Sequence, residues 1–422
     1  MNSSAATLIE NRSTSPGTTS IASVVGFFFA FRLIIVLLSV RILGMEAQTG
    51  AAISLGLNLL LPLLVAFQCL GSVEHTFGSM LRPWSIRWAF VFLIFSGFSL
   101  TWTVAASMTA ATAYWCGMAA DVLMVILLLR SGDITAIAGA LMRGFIWGAC
   151  AVAVVAWLLP AQSDLRLGDE ELLGPNQIGY LCAFGLFFVQ YLIRKKTGNW
   201  TFAAALLGIT LLRSLSKTTL AAFIAAELVF FAMDPLMKRK TKLMLIGATA
   251  VAALAFSSLL TSYFETYSAS GGPETLTGRL GMWAYILSEA VDKPWLGHGF
   301  YSVWKVIPPF GSFEARHAHN ELIQQFYAYG VVGIIMMVGI YTSFYLQFRR
   351  LPGKADRAYY LALLLFVLIR GLTDTEACDI SLPLWAIIMF TMLIRCTQRI
   401  SREPVPIPSD TINPNCHPIV IS

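Results

Sequence analysis

Long apolar runs alternate with short polar stretches along the whole chain of 422 residues. Most of these runs approach the roughly 20 apolar residues that a helix needs to cross a bilayer. They predict an all-α polytopic integral membrane protein with about twelve transmembrane helices. The predicted spans are Ile21–Leu43, Ala51–Leu70, Trp88–Trp102, Ala106–Leu129, Ile134–Leu159, Gln177–Ile193, Trp200–Leu212, Thr219–Met233, Leu243–Leu260, Leu322–Phe348, Tyr359–Ile369 and Leu382–Ile394.

The order of these runs predicts one large loop between the ninth and tenth spans. Residues 1–20 form a tail, 21–260 hold nine spans, 261–320 form the loop, 321–396 hold three spans, and 397–422 form a proline-containing disordered tail. Within the loop, Met282–Val291 has the pattern of a short helix. Two spans, Trp200–Leu212 and Thr219–Met233, are too short to cross a bilayer alone. We expect them to form a broken or shallow pair.

Composition excludes a soluble domain. The chain is 57% hydrophobic and 12% charged, whereas soluble proteins carry about 25% charged residues. The net charge of +6 indicates cytoplasmic loops and not nucleic-acid affinity, because Lys and Arg concentrate on the cytoplasmic side of membrane proteins. Basic clusters at Arg194–Lys196, Lys238–Lys242 and Arg349–Arg357 then predict that both termini are cytoplasmic. The large loop is predicted to lie outside, as are the acidic residues near Asp374.

Four cations do not follow the concentration of Lys and Arg on the cytoplasmic side, because they fall on the predicted outer side. They are Arg213, Lys217, Arg279 and Arg316. Cations that converge at helix ends suit a pyrophosphate, which arginine binds through two parallel hydrogen bonds. Arg213 and Lys217 could instead reach the membrane interface as single extended side chains. The sequence leaves both interpretations open.

Two of the five histidines, His317 and His319, lie together just before the tenth predicted span. Histidine titrates near neutral pH, so His319 is a candidate general base or a substrate-orienting group. Asn320 could cap the following helix. A solvated loop pair is the alternative interpretation. The spacing of the histidines and the nearby acids fits no recognised zinc pattern, so we predict no metal site.

Three further features carry candidate chemistry. Asn176 opens the sixth span and is a candidate substrate-facing residue, although helix initiation at Pro175 also explains its place. Arg32 and Asp121 lie inside apolar runs, where a charge is a functional candidate by default unless it is paired within the bundle.

An ordered set of motifs resembles the O-antigen ligase and polymerase superfamily, and within it the exopolysaccharide polymerases. The resemblance covers roughly residues 174–333. The helices before residue 174 resemble those of the superfamily only in their hydropathy. The motifs are Gly174–Gly179, Ser214–Thr218, Leu276–Arg279 with Trp283, Pro294–Phe300, and His317–Asn320 with Gly330 and Gly333.

This resemblance implies a GT-C-like, metal-independent glycosyltransferase without cofactor, in the bacterial inner membrane and with a periplasmic active site. Its donor would be a glycan on a polyprenyl pyrophosphate, and its acceptor a glycan or a lipid-linked glycan. The family's functional arginines and histidine fall on Arg213, Arg279 and His319, with Lys217 able to replace Arg213. Arg316 would assist at the pyrophosphate, and His317, Asn320 and Asn176 would support the site.

Polymerisation of lipid-linked repeat units into exopolysaccharide or O-antigen is the function that the resemblance favours. Attack opposite the leaving pyrophosphate would invert the anomeric centre. A ligase that transfers the glycan to lipid A–core uses the same chemistry and remains an alternative. A twelve-helix transporter is a second alternative, although the chain shows no two related halves. Besides its substrates and membrane lipids, a chain-length regulator is a candidate partner.

Overall fold

A computed structural model describes residues 16–69, 73–160, 166–169, 172–235, 237–240, 242–244, 247, 276–304, 306–308, 317–375 and 381–400. Its regular elements over these residues are helices. Their bounds are α1 Pro16–Arg41, α2 Ala47–Cys69, α3 Phe77–Met80, α4 Trp84–Phe98, α5 Met108–Arg130, α6 Ile134–Leu158, α7 Pro175–Arg194, α8 Thr201–Arg213, α9 Lys217–Met233, α10 Leu276–Ala290, α11 Glu321–Phe348, α12 Lys354–Thr373 and α13 Ser381–Ile400.

The protein is a polytopic membrane protein, and eight of the described helices are long and apolar enough to cross a membrane. These are α1, α2, α4 with the following turn, α5, α6, α7, α11 and α13. Three more predicted spans coincide with α8, α9 and α12, which are shorter or carry more charge. The span predicted at Leu243–Leu260 lies almost entirely outside the described residues. Twelve spans therefore stay a prediction.

Glycines hold the first and sixth helices in close contact. A side chain at Gly26 would collide with the backbone of Leu141, and one at Gly144 would collide with the backbone of Ser23. A side chain at Gly148 would likewise meet the carbonyl group of Phe27. Small residues at such an interface let two backbones approach and increase van der Waals contact, which drives helix association in lipid.

The two charges inside apolar runs are paired with each other. Arg32 Nη1 lies 2.7 Å from Asp121 Oδ2, and the Asp121 side chain is fully buried. Ser381 Oγ, at the start of α13, donates a second hydrogen bond of 2.6 Å to the same oxygen. The pair thus joins three helices, and this contact gives Arg32 and Asp121 a structural role.

The short pair α8 and α9 is broken as predicted, since only the turn Ser214–Ser216 separates the two helices. The helix predicted in the large loop is also present and forms α10, which begins several residues earlier than expected. Its buried residues Met282, Ile286 and Ala290 form a small core with Ala318 and Tyr327. That core holds α10 against the start of α11.

Helix α11 kinks at Gly330, whose φ of 62° lies in the left-handed region. The kink frees backbone groups, and the segment Pro294–Phe300 pairs with them. Val331 N donates to Pro294 O at 2.8 Å, and Gly299 N donates to Ala328 O at 2.8 Å. A side chain at Gly330 would collide with the Trp295 backbone, so glycine is required there. The segment is therefore fixed to α11 through its main chain.

Candidate active site

His319 lies beside a buried carboxylate that the sequence analysis placed only among outward acids. His319 Nδ1 is 2.9 Å from Asp374 Oδ1, and the side chains are 15% and 1% exposed. Burial alone would raise the pKa of Asp374, but the hydrogen bond from His319 and the charge of Arg370 outweigh it and hold that pKa below its usual range. An ionised Asp374 fixes the proton on Nδ1 and leaves Nε2 as an acceptor.

Arg370 is a second site residue that the sequence analysis missed. It lies on α12, four residues before Asp374, and its side chain is 3% exposed. Its Nη2 is 3.5 Å from Asp374 Oδ2, an ion-pair distance. Its guanidinium also stacks on the ring of Tyr180, 3.6 Å from the centroid. A cation–π contact of this kind is stronger where water is excluded, so Tyr180 helps to hold Arg370 beside the second carboxylate oxygen of Asp374.

The backbone at His319 is held in an unusual conformation. Its φ is 49°, a left-handed value that is uncommon outside glycine and costs of order 1 kcal/mol or more. The neighbours fix it on both sides. Asn320 Oδ1 accepts from Ile323 N at 3.2 Å, and Ala318 N donates to Gln324 Oε1 at 2.8 Å. Asn320 therefore caps α11 as predicted.

Asn320 also joins the two elements that carry the histidine and the carboxylate. Its Nδ2 donates to Leu372 O at 2.9 Å. Close by, Thr375 Oγ1 donates to Glu321 Oε2 at 2.5 Å. The start of α11 and the end of α12 are thus locked together, and this explains how His319 and Asp374 meet although 55 residues separate them.

His317 and Arg279 complete this side of the site. The rings of His317 and His319 lie 4.1 Å apart. Trp283 Nε1, on the same helix as Arg279, donates to Ala318 O at 2.7 Å, which ties α10 to the backbone between the two histidines. Burial lowers the pKa of His317 well below its usual value, and the neighbouring His319, Arg370 and Arg279 act in the same direction, whereas the carboxylate of Asp374 acts against it. His317 is therefore neutral at pH 7.

The depressed pKa of His317 leads to a stability prediction. In the unfolded chain a histidine takes up a proton below about pH 6.5, whereas folded His317 resists it. The unfolded state therefore binds more protons, and stability must fall as the pH drops below that value. Replacing His317 with Gln should reduce the loss of melting temperature between pH 7.5 and pH 5.5 in detergent. An unchanged pH dependence would show that His317 is protonated freely in the fold.

The second group of predicted residues surrounds the turn between α8 and α9. Arg213 ends α8 and Lys217 begins α9. Asn176 Oδ1 accepts a hydrogen bond of 2.8 Å from Ser216 Oγ, so Asn176 supports this turn from α7. Ser216 Oγ also lies 2.9 Å from Thr219 Oγ1, within hydrogen-bond distance. The turn is closed by its own hydroxyl groups and by Asn176.

Helix α7 links the two groups. Its first turns hold Asn176 and Gly179 against the turn Ser214–Ser216, where a side chain at Gly179 would lie 3.0 Å from Ser216 Cβ. One residue further, Tyr180 stacks under Arg370. The arginine–lysine turn and the histidine–carboxylate pair therefore lie at the same end of the bundle, on two sides of one helix terminus. Arg316 lies outside the described residues.

His317, His319 and Asp374 offer ligand atoms that all lie within 4.8 Å of one another. The sequence analysis did not anticipate this cluster because Asp374 is distant along the chain. Asp374 Oδ1 already binds His319, and Arg370 supplies positive charge at 3.5 Å. This arrangement suits an orienting carboxylate more than a cation ligand. The metal-independence expected from the resemblance stays a prediction.

Comparison with known proteins identifies a related family and two similar proteins. Residues 202–338 match the model of the O-antigen ligase family. The exopolysaccharide production protein ExoQ of Rhizobium meliloti is 27% identical over 297 residues, which cover 64% of this chain and 67% of that protein. An O-antigen ligase of Pseudomonas aeruginosa is 29% identical over 177 residues, or 41% of this chain and 40% of that protein.

Proposed function

We propose, from the premise that this chain belongs to the O-antigen ligase family, that it polymerises lipid-linked oligosaccharide repeat units. The family implies a glycosyltransferase-type enzyme that acts on lipid-linked glycans. The finer assignment is supported by the similarity to an exopolysaccharide production protein over 64% of this chain. The observation that carries the chemistry is the pair His319–Asp374, 2.9 Å apart, beside the helix that bears Arg279.

In the proposed reaction, a sugar hydroxyl of the acceptor attacks the anomeric carbon of the donor. The bond from that carbon to the pyrophosphate oxygen breaks, and the polyprenyl pyrophosphate leaves with the bonding electrons. His319 Nε2 takes the hydroxyl proton while Asp374 stabilises the resulting imidazolium. Attack opposite the leaving group inverts the anomeric centre. Each step uses only groups of this chain and its substrates, so the mechanism requires no metal ion.

Arg279, Arg213 and Lys217 would bind the pyrophosphate. Fixed cations in a partly dry site stabilise the charge that develops on the leaving group and need no reorganisation when the bond breaks. Arg279 lies on the helix that Trp283 ties to the backbone between the two histidines, which supports its choice. Arg213 and Lys217 lie across the end of α7, where the structure gives no reason to choose between them.

Replacing Arg279 with Lys should lower the transfer rate roughly tenfold to hundredfold, because lysine keeps the charge but loses the two-pronged hydrogen bond. Initial rates with purified protein and lipid-linked donor measure this. Arg41→Lys is the matched control, since Arg41 forms a similar fork on Asp169 at 2.8 and 3.1 Å, outside the proposed site. Equal rates for Arg279→Lys and the wild type would leave Arg279 only a topological role.

We also propose that both termini are cytoplasmic and that the site faces the periplasm of the bacterial inner membrane. The distribution of Lys and Arg supports this orientation. A phosphatase that is active only in the periplasm should therefore be active when it is fused after Glu289. A fluorescent protein that fluoresces only in the cytoplasm should not fluoresce when it is fused at the same position. The opposite pattern would place Arg279 and the histidines on the wrong side for a lipid-linked donor.

Gene deletion tests the proposed function in the cell. A strain without a polymerase should retain single repeat units on the carrier lipid or its acceptor, and complementation should restore long chains. The alternative is a ligase, which is favoured by the family description and by the similarity to the Pseudomonas aeruginosa enzyme. Loss of a ligase would instead leave long, unattached chains on the carrier. A surface glycan of unchanged size and attachment would exclude both activities.

A further inference from the structure

We propose that an exposed apolar stripe on α10 binds the prenyl chain of the lipid-linked donor. The stripe consists of Leu280, Ala284, Leu287 and Val291, and continues into Trp295 and Leu296. This inference rests on the proposed function, because it assumes a donor in which a hydrocarbon chain follows a pyrophosphate.

The stripe follows the helical repeat. Leu280, Leu287 and Val291 are 54%, 39% and 66% exposed, and Ala284 between them is exposed as well. Spacings of three to four residues place Leu280, Ala284 and Leu287 on one face of the helix, and Val291, directly after the last helical residue, continues the same spacing. Beyond the helix end, Trp295 and Leu296 are 69% and 49% exposed. Together these residues give α10 and the segment that follows it an exposed apolar surface.

The opposite face of α10 is already occupied. Met282, Ile286 and Ala290 are at most 2% exposed and pack in the small core beside α11. Trp283 fixes the same helix to the backbone of Ala318 through a hydrogen bond of 2.7 Å. The stripe is therefore the face of α10 that points away from this small core. It is an outward surface on an element whose position is set by the histidine segment.

The position of the stripe fits the two parts of the donor. It begins at Leu280, directly after Arg279, which is the cation proposed for the pyrophosphate. From Leu280 to Val291 it extends about 16 Å at 1.5 Å per residue. A donor bound at Arg279 must direct its hydrocarbon chain away from the histidines, and α10 provides an apolar surface that starts at the charged end. The segment Pro294–Phe300 extends this surface on a backbone fixed to α11.

The charge pattern of α10 argues against simple attachment to the membrane surface. Helices that lie on anionic bilayers carry several Lys or Arg residues on a polar face. Between Leu276 and Ala290 the charged residues are Arg279 and Glu289. One acid and one base give no net attraction to anionic lipid. We therefore assign the stripe to the donor chain, and contact with bulk lipid is the alternative that the experiment must exclude.

Binding of three probes with a shared head and different tails tests the assignment. The probes are inorganic pyrophosphate, farnesyl pyrophosphate and undecaprenyl pyrophosphate, measured in mixed micelles at fixed detergent concentration. In the wild type, affinity should increase about tenfold from the first probe to the second, and should not decrease for the third. The variant Leu280→Ser/Leu287→Ser should lose this gain while its affinity for inorganic pyrophosphate is retained.

A matched control removes two equally exposed leucines elsewhere. Leu60 and Leu64 on α2 are 51% and 50% exposed, and Leu60→Ser/Leu64→Ser should keep the gain. The assignment is wrong if the stripe variant keeps the gain, or if both double variants lose it equally, as general lipid contact would require. Val291→Thr, with one methyl group replaced, serves if the double variant does not fold. If the wild type binds none of the probes, the proposed function fails, and this inference fails with it.

Discussion

Replacing His319 with Ala is expected to lower the rate of glycan transfer roughly 10²–10⁴-fold, which is the usual contribution of a general base. The geometry explains why this position should dominate. Asp374 holds Nδ1 at 2.9 Å, so Nε2 is the ring nitrogen that we assign as the proton acceptor, on a ring that is only partly exposed. Transfer from a lipid-linked donor by purified protein is the direct measurement.

The charge of Asp374 should persist at mildly acid pH, because its pKa lies below its usual range. A decline of the transfer rate between pH 7 and pH 5 should therefore not arise from protonation of Asp374.

His298→Ala is the matched control for His319. His298 is also a buried histidine of the same region, and its ring stacks on Tyr327 at 4.4 Å. Its removal should lower thermal stability without the large loss of rate per folded molecule. Both variants should be found in the membrane at wild-type amounts. A fully active His319→Ala protein would remove His319 from the mechanism.

Replacing Asp374 with Asn should cause the second large loss, about 10²-fold or more, because the orienting charge behind His319 disappears. Two effects combine. The imidazolium formed in the transition state loses its counter-charge, and the amide can hold His319 in the wrong tautomer. The rate at saturating substrate should fall more than the apparent affinity for the donor, since Asp374 contacts His319 and Arg370, neither of which is proposed to bind the pyrophosphate.

Loss of the Asp374 charge should also destabilise the protein through Arg370, and a double variant separates this effect from the effect on the rate. In Asp374→Asn the buried guanidinium loses its partner, which costs of order 3–5 kcal/mol in buried pairs. The double variant Asp374→Asn/Arg370→Gln removes both charges and should recover stability but not rate. Asp121→Asn is the control, because Asp121 is an equally buried acid paired with Arg32. If Asp121→Asn lowered the rate per folded molecule as much as Asp374→Asn, the loss would reflect the fold and not the site.

Local sequence was sufficient to predict several features of the site. Asn320 caps α11 because an asparagine before an apolar run accepts the first free N–H groups. The broken pair α8 and α9 follows from two runs that are each too short to cross a bilayer. Arg279 and His319 were identified from misplaced charges and from a motif order. All of these depend on residues within a few positions of one another.

Asp374 and Arg370 could not be identified in this way. Read along the chain, Asp374 is one acid of an outward loop, and Arg370 is a cation at the end of an apolar run. Their roles arise because α12 ends beside the start of α11, where Asn320 bonds Leu372 O at 2.9 Å. Neither residue lies in the segment that matches the family model, residues 202–338. No spacing rule links positions that far apart.

The sequence by itself thus determined that this is a polytopic helical membrane protein, and it supplied the cations and histidines that we propose for the chemistry. It did so because hydropathy, charge placement and capping act over short distances along the chain. Only the tertiary structure decided which carboxylate orients His319, which arginine holds that carboxylate, and that Arg32 and Asp121 neutralise each other inside the bundle. Those partners are chosen by helix packing, which brings together side chains that the order of residues keeps apart.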